Sequence, residues 1–322
     1  EIRIRAGVYQ PSQTLVYNSQ NTGWLSVSGG YYTFSDNPCG GRNPDARVTV
    51  LDGSGLSTER MQAFAAYINQ SETTFVLPPT QPGASYRIRI FTPVSELPFA
   101  GHPSVGSAHA VLEAGLAQAS NGELVQECAA GLLPMRVQGD GANRVISVRA
   151  PRGKHIASSD ATKALLPAAL QGMRLGELAP ALINNGPLWW CVQLADEAAV
   201  RTLQPAQADI AALNFAAQSV GFAVFAKADA GEYQLVVRAF CPADNIPEDP
   251  VTGSANAAIA AYLHQCGALA PIGNPYTASQ GRELGRDGLV QVRVDDEGEV
   301  WIGGKTQTVI NGTMDWESRE RA

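Results

Sequence analysis

Apolar positions recur along this chain at more than one period, and the period changes from stretch to stretch. Over residues 57–69, Met61, Phe64, Ala65 and Ile68 fall on one face of a helical repeat and Ser57 can cap the start, which predicts an amphipathic helix ending at Asn69. Directly after it, residues 71–77 turn β-rich, so Glu72 sits at a helix-to-strand junction where a side chain can face a cleft. Aliphatic or aromatic residues alternate with Arg over 86–92 and predict a strand, as do the apolar runs 188–194, 221–227 and 234–240. Residues 107–113 and 254–265 follow neither pattern and are apolar nearly all round; in the second, only Asn256, His264 and Gln265 interrupt the run. A helix with no polar face must be surrounded by protein, so each is predicted to lie inside a curved sheet.

The remaining stretches are read more coarsely. Residues 31–36 form a strand closing in a Pro- and Gly-rich turn, and residues 1–30 hold one or two strands. Residues 135–148 suggest a hairpin around Gly139-Asp140-Gly141. Residues 198–203 and 206–213 look like short helices over the sheet, and 290–294, 300–302 and 307–314 like closing strands.

Similar loops precede the two apolar helices. Pro98-Phe99-Ala100-Gly101-His102-Pro103-Ser104-Val105-Gly106-Ser107 leads into the first, and Pro247-Glu248-Asp249-Pro250-Val251-Thr252-Gly253-Ser254 into the second. At an offset of 249 − 102 = 147, Asp249 lies over His102, Pro250 over Pro103, Gly253 over Gly106 and Ser254 over Ser107. Similar strand ends, Arg89-Ile90-Phe91-Thr92-Pro93 and Arg238-Ala239-Phe240-Cys241-Pro242, come before both. The chain reads as two versions of one unit, 1–133 and 134–306, with a strand near 307–316 returning to the first and 317–322 a charged tail.

Composition narrows the function classes. At 322 residues, 45% apolar and 16% charged, the chain can fill two packed cores. A formal net charge of −7 without a basic cluster argues against nucleic acid as partner. No apolar run nears the roughly 18 residues a membrane-spanning helix needs, so no membrane partner is expected. The five cysteines are widely spaced without a Cys-x-x-Cys, which points to free thiols in a reducing cytoplasm, and no His or Cys spacing suits a metal.

Two sets of residues could carry chemistry. A helix start offers unpaired N–H groups and partial positive charge, so Gly106-Ser107 and Gly253-Ser254 could converge on one carboxylate from related units. Either pair alone is an ordinary cap, and the duplication is what favours an anion site. The second set is Glu72, His102 and Asp249, groups of different intrinsic pKa suited to proton transfer in a partly dry cleft. Each alone has a plain surface reading, but the matched positions of His102 and Asp249 would bring them face to face between the units. Gly303-Gly304-Lys305-Thr306 lacks the earlier Gly of a phosphate loop, and Gly-x-Ser-x-Gly is absent. Trp189 and Trp190 read as core, with one ring able to roof the cleft.

Four ordered motifs carry a resemblance. They are Ser71-Glu72-Thr73-Thr74-Phe75, Glu96-Leu97-Pro98-Phe99-Ala100-Gly101-His102-Pro103, Ile246-Pro247-Glu248-Asp249-Pro250-Val251-Thr252-Gly253-Ser254-Ala255 and Ser279-Gln280-Gly281-Arg282. With them the chain resembles the PhzF-like family of phenazine biosynthesis isomerases, within the diaminopimelate epimerase fold. The resemblance implies an α+β fold of two pseudo-symmetric domains, each a curved mixed sheet or barrel wrapped around a central apolar helix, with the active site between them. It implies that Glu72 is the catalytic acid/base and that Gly101, His102, Asp249, Gly253 and Ser254 hold the substrate, the last two through their amides. It also implies a proton shift that moves a double bond without metal or organic cofactor, and a homodimer.

The fold's racemases and epimerases use one cysteine from each half, and neither loop here has one, since Cys241 lies upstream of the second. A two-thiol epimerase is therefore not expected. The reading is a cytoplasmic, cofactor-independent isomerase of a small carboxylic acid, with His102 and Asp249 assisting Glu72 and Ser107 adding to the substrate contacts. The alternatives are a non-thiol epimerase and a carboxylate-binding protein without turnover.

Overall fold

The computed structural model describes residues 25–29, 47–229, 231–244, 246–286 and 288–312. The strand expected at 31–36, its turn, most of the 1–30 stretch and the charged tail lie outside the described residues. In chain order the elements are β1 (Leu25–Gly29), β2 (Arg47–Asp52), α1 (Thr58–Ile68), β3 (Glu72–Leu77), β4 (Tyr86–Phe91), β5 (Glu96–Leu97), α2 (Gly101–Glu113), β6 (Glu123–Cys128), β7 (Gly131–Gln138) and β8 (Val145–Arg149). There follow β9 (Lys154–Ile156), α3 (Asp160–Ala169), β10 (Ala181–Asn184), β11 (Leu188–Gln193), α4 (Glu197–Arg201), α5 (Gln207–Ala217), β12 (Gly221–Lys227), β13 (Leu235–Cys241), β14 (Ile246–Asp249) and α6 (Gly253–Gln265). The chain closes with β15 (Tyr276–Gln280), β16 (Gly288–Val294), β17 (Val300–Lys305) and β18 (Gln307–Gly312).

Local chemistry sets several of these bounds. The Ser57 hydroxyl accepts from the Arg60 amide and caps α1, and Asn69 ends it in the left-handed conformation. Met61, Phe64 and Ala65 are its buried stripe, packed on Phe75 and Phe91 of the sheet. The 135–148 hairpin is present as β7 and β8, joined through a turn in which Gly139 and Gly141 both adopt positive φ.

The strands pair in the same order twice. In the first set β1–β2 is antiparallel, β2–β3 parallel, β3–β4 antiparallel, β4–β6 parallel and β6–β7–β8 antiparallel. In the second, β10–β11 is antiparallel, β11–β12 parallel, β12–β13 antiparallel, β13–β15 parallel and β15–β16–β17 antiparallel. The short strands β5 and β14 hang antiparallel on the matching strands β4 and β13. Each β2–β3-type parallel step is bridged by helix, α1 in one set and α4–α5 in the other, as a parallel connection requires. This is the expected α+β architecture of two pseudo-symmetric units. The sets join along β8–β17, and β18 pairs with β1. We propose that the chain passes between units after β8, which pairs with β7 of its own set and with β17 across the junction.

Helices α2 and α6 fill the insides of these curved sheets. Every residue of α2 from Gly101 through Val111 is buried, as is every residue of α6 from Ala255 through Leu263. They share one continuous apolar core with the inner strand faces. Separate clusters cover the outer faces, under α1 on one side and under α3, α4 and α5 on the other. No helix among the described residues is long and apolar enough to cross a membrane.

One expected boundary is corrected. The first apolar helix begins at Gly101 rather than at Ser107, because Pro103 falls in its first turn, where a missing N–H costs nothing. The structural equivalence of the two helices is therefore 253 − 101 = 152, with Gly101 over Gly253, and the offset of 147 is five residues short.

At those two glycines the helix starts touch. A Cβ on Gly101 would stand 2.8 Å from the Gly253 Cα, and one on Gly253 would stand 2.7 Å from the Gly101 Cα. Because the opposing atoms are backbone, neither can yield cheaply. Gly101→Ala and Gly253→Ala are each expected to lower stability by about 1–3 kcal/mol, the range for overpacking a tight core site. Chemical denaturation of each variant checks this, and an unchanged midpoint would show that the helix starts separate freely.

Candidate active site

The site is built where the two helix starts meet. In α6 the first intrahelical bond is the Asn256 amide to the Thr252 carbonyl, so the N–H groups of Gly253, Ser254 and Ala255 have no partner within the helix. In α2 the first is Ser104 to Ala100, which leaves Gly101 and His102, with Pro103 lacking an N–H. Both positive helix ends thus point at one spot, which suits an anion.

His102 follows Gly101 directly and is buried, 3% exposed. Its Nε2 lies 3.1 Å from Oε2 of Glu72, the first residue of β3. The two atoms are within ion-pair range but off the line of a well-aligned hydrogen bond, and neither has another partner. Burial alone would lower the His102 pKa, but the Glu72 charge, the contact with it, the Asp249 charge and a hydrogen bond to the Val251 backbone raise it above the ordinary value. Burial would likewise raise the Glu72 carboxyl, yet the His102 charge and contacts from His102 and Ser71 hold it below the usual carboxylate range.

Asp249, the last residue of β14, behaves in the opposite way. Burial first, and then the like charge of Glu72, push its carboxyl up to about 7, with His102 and the Thr252 hydroxyl only partly offsetting them. Glu72 and Asp249 each keep some open surface, while their carboxyl groups lie among protein atoms. The cluster therefore holds one acid biased toward its ionised form, an imidazole biased toward its charged form and a second acid that keeps its proton up to about 7. Cys241 lies within electrostatic reach of both acids, but burial and the charges of Asp249, Asp244 and Glu72 push its thiol well above its ordinary range, so it stays protonated.

Six of the residues singled out from the sequence gather here: Glu72, Gly101, His102, Asp249, Gly253 and Ser254. Ser254 is braced on both sides, its hydroxyl accepting from Trp189 Nε1 at 3.1 Å and its carbonyl from Asn185 Nδ2 at 2.8 Å. Trp189 is core, only 1% exposed, rather than a roof. Ser107 does not join the group. It lies beyond the first turn of α2, fully buried, and its hydroxyl bonds Thr74 Oγ1 at 2.8 Å, tying α2 to β3. The correction follows from the earlier helix start, since an amide inside a helix has no free N–H to offer.

A polar network behind Asp249 had no assigned role in the sequence. Gln280 Nε2 donates to the Asp249 carbonyl at 2.9 Å and to Thr252 Oγ1 at 2.8 Å, while its Oε1 accepts from the Thr252 amide and from Asn256 Nδ2. Thr252 Oγ1 donates onward to Asp249 Oδ2. In the first unit Gln126 plays the matching part, donating to Ser104 at 2.9 Å, and 256 − 104 again equals 152. The signal was present in the sequence, because Asn256 breaks an otherwise apolar helix and Gln280 ends a strand before a glycine at φ 88.

A cavity of about 340 Å³ lies at the opposite end of α2, lined by Val50, Leu51, Val76, Leu77, Ala110 and Val111 among others. Asp52, Ser54 and Ser85 also line it, but none of the three acid–base groups does. Among the described residues, no group of three or more His, Cys, Asp and Glu could hold a metal ion.

Comparison with known proteins identifies the family of the chain. The sequence model of the phenazine biosynthesis-like proteins, PhzC-PhzF, matches residues 31–312. The chain is 35% identical over 279 residues to antisense-enhancing sequence 1 of Schizosaccharomyces pombe, covering 84% of this chain and 92% of that protein. It is 36% identical over 269 residues to trans-2,3-dihydro-3-hydroxyanthranilate isomerase of Pseudomonas aeruginosa, covering 83% and 89%. Its fold matches the crystal structure of the Bacillus anthracis phenazine biosynthesis protein of the PhzF family, with a TM-score of 0.69 at 22% identity over 91% of this chain and 98% of that one.

The raised Asp249 pKa has a consequence for stability. A carboxyl that binds its proton more tightly folded than unfolded contributes stability that is present in full below the unfolded value and lost as pH rises through about 7. Asp249→Asn carries no such charge. Relative to the parent it is expected to gain stability as pH rises from about 4 to about 8, by on the order of a few kcal/mol. Paired thermal melts across that range check this, and a difference independent of pH would remove the raised pKa.

Proposed function

This chain belongs to the PhzC-PhzF family of phenazine biosynthesis-like proteins, and on that footing we propose that it is a cofactor-independent isomerase acting on a small carboxylic acid. The family supports an isomerase or epimerase activity, and the finer reading is a proton transfer that shifts a double bond. One observation carries it: Glu72, His102 and Asp249 stand together at the touching helix starts, with the two carboxyl pKa values pushed in opposite directions.

In this mechanism Glu72 is the proton carrier. As a carboxylate held ready by His102, it takes a proton from a carbon of the substrate and returns it to another carbon of the same conjugated system, so no proton is gained or lost overall. His102, bonded also to the Val251 backbone, keeps Glu72 oriented and ionised. Negative charge develops on the substrate between the two transfers. The unpaired N–H groups of Gly253, Ser254 and Ala255 and of Gly101 bind the carboxylate and spread that charge, and a protonated Asp249 can donate a hydrogen bond to it where an ionised one would repel it. The protonated Cys241 supplies no thiolate base, which speaks against thiol-based epimerisation.

The test is deuterium uptake by NMR, with the protein in D₂O and a panel of small cyclic or unsaturated acids. The panel includes trans-2,3-dihydro-3-hydroxyanthranilate, the compound named for the Pseudomonas aeruginosa relative. A migrated double bond with label supports the proposal; exchange with inversion would make the protein an epimerase, and binding without label a carrier. Glu72→Gln is expected to lose about 10²–10⁴-fold in rate, and full activity in that variant would overturn its role. The rate is expected to fall as pH rises through about 7, where Asp249 loses its proton.

A further inference from the structure

The acids Glu248 and Asp249 are adjacent, yet they serve opposite faces of one short strand. Asp249 pairs with Ala239, whose side faces the inner core, so Asp249 points toward α6 and His102. Glu248 points outward, where Arg238 of β13 meets it with two parallel bonds, Nε to Oε1 at 2.9 Å and Nη2 to Oε2 at 2.7 Å. The remaining arm, Nη1, donates to the carbonyls of Val200 at 3.1 Å and Leu203 at 2.7 Å, at the end of α4 and just past it. Arg238 and Glu248 are both buried, with side chains 7% and 8% exposed.

Such a buried pair is weak evidence for stability, because desolvating two charges offsets much of their attraction; fixing a register is its better-attested use. β14 needs that help. It is four residues long, contains Pro247 and precedes Pro250, neither of which has an N–H to give a ladder, and it is bridged to β13 at Ala239–Asp249 and Cys241–Ile246 with an irregularity between. A slip of one residue would turn Glu248 inward and Asp249 outward.

We propose that Arg238 is a positioning residue for the proton-transfer site, gripping Glu248 from the outer face and so fixing the β14 register that turns Asp249 inward beside His102. The role rests on the function proposed above. Around the Asp249 carboxyl stand Glu72, His102, Glu248 and the Cys241 thiol, and the Thr252 hydroxyl is bonded to it.

Two charge-conserving variants isolate geometry from charge. Arg238→Lys keeps the cation and loses the planar fork, and Glu248→Asp keeps the carboxylate and shortens its reach. The Asp249 midpoint is read by NMR of protein labelled with carboxyl-¹³C aspartate, the resonance being assigned with Asp249→Asn. In each variant it is expected to fall by about one pH unit or more toward the ordinary carboxylate range, as β14 shifts and water reaches the group. Where an exchange assay is in hand, kcat is expected to fall about tenfold or more while KM changes less than about threefold, the pattern of a lost transition-state contact. If either variant folds with the parent midpoint, the proposal is overturned, even where its melting temperature drops. If Arg238→Lys does not fold, Glu248→Asp decides by the same reading. A parent protein that titrates near 7 but exchanges label into no acid overturns the isomerase reading alone, because the midpoint still decides the role of Arg238.

Discussion

Two helix N-termini are pressed together with only glycine between them, and the site follows from that contact. Gly101 and Gly253 approach until a single Cβ on either would overlap the other's backbone, with Ile302 Cδ1 filling the side at 2.8 and 3.0 Å from those positions. The contact brings the positive ends of α2 and α6 to the same place and sets their next residues, His102 and Ser254, at its edge. Each helix can lie in this way because it has no polar face to keep wet, so a sheet can wrap it completely. The contact between the units and the convergence of the positive helix ends are two results of one packing arrangement.

The same packing accounts for how the acids beside it divide their charge. Two carboxyls and one imidazole share a space poor in water, where a single ion pair can be balanced but a second negative charge cannot. Glu72, in contact with His102, keeps its charge; Asp249, held by Thr252 and facing Glu72's charge, keeps its proton up to about 7. The same field holds the Cys241 thiol protonated. Behind Asp249, Gln280 fixes the loop from inside and Arg238 grips its neighbour from outside, so the strand that carries the group is held on both faces.

Much of this was legible in the residues. The capped helix at 58–68, the strands at 72–77, 86–91 and 221–227 and the two buried helices all carry their patterns openly, because each depends on neighbours a few positions away. Asn256 and Gln280 were visible as polar residues in apolar surroundings, but nothing local says that they bond to each other across 24 positions. Ser107 was misread for a related reason. Pro103 looks like a loop residue, and only the closed first turn of α2 reveals that the helix had already begun at Gly101.

The sequence alone pointed to two versions of one unit, each with a largely apolar helix behind a Gly-containing loop, and to Glu72, His102 and Asp249 as the residues to watch. It could do so because repetition, hydrophobic period and turn chemistry are written in consecutive residues. Only the tertiary structure decided how the copies align, at 152 rather than 147, since loops of unequal length hide the equivalence of Gly101 and Gly253. It also decided which acid is held toward its charged form and which binds its proton more tightly, because a pKa is set by burial and by neighbours through space, and those neighbours come from opposite halves of the chain.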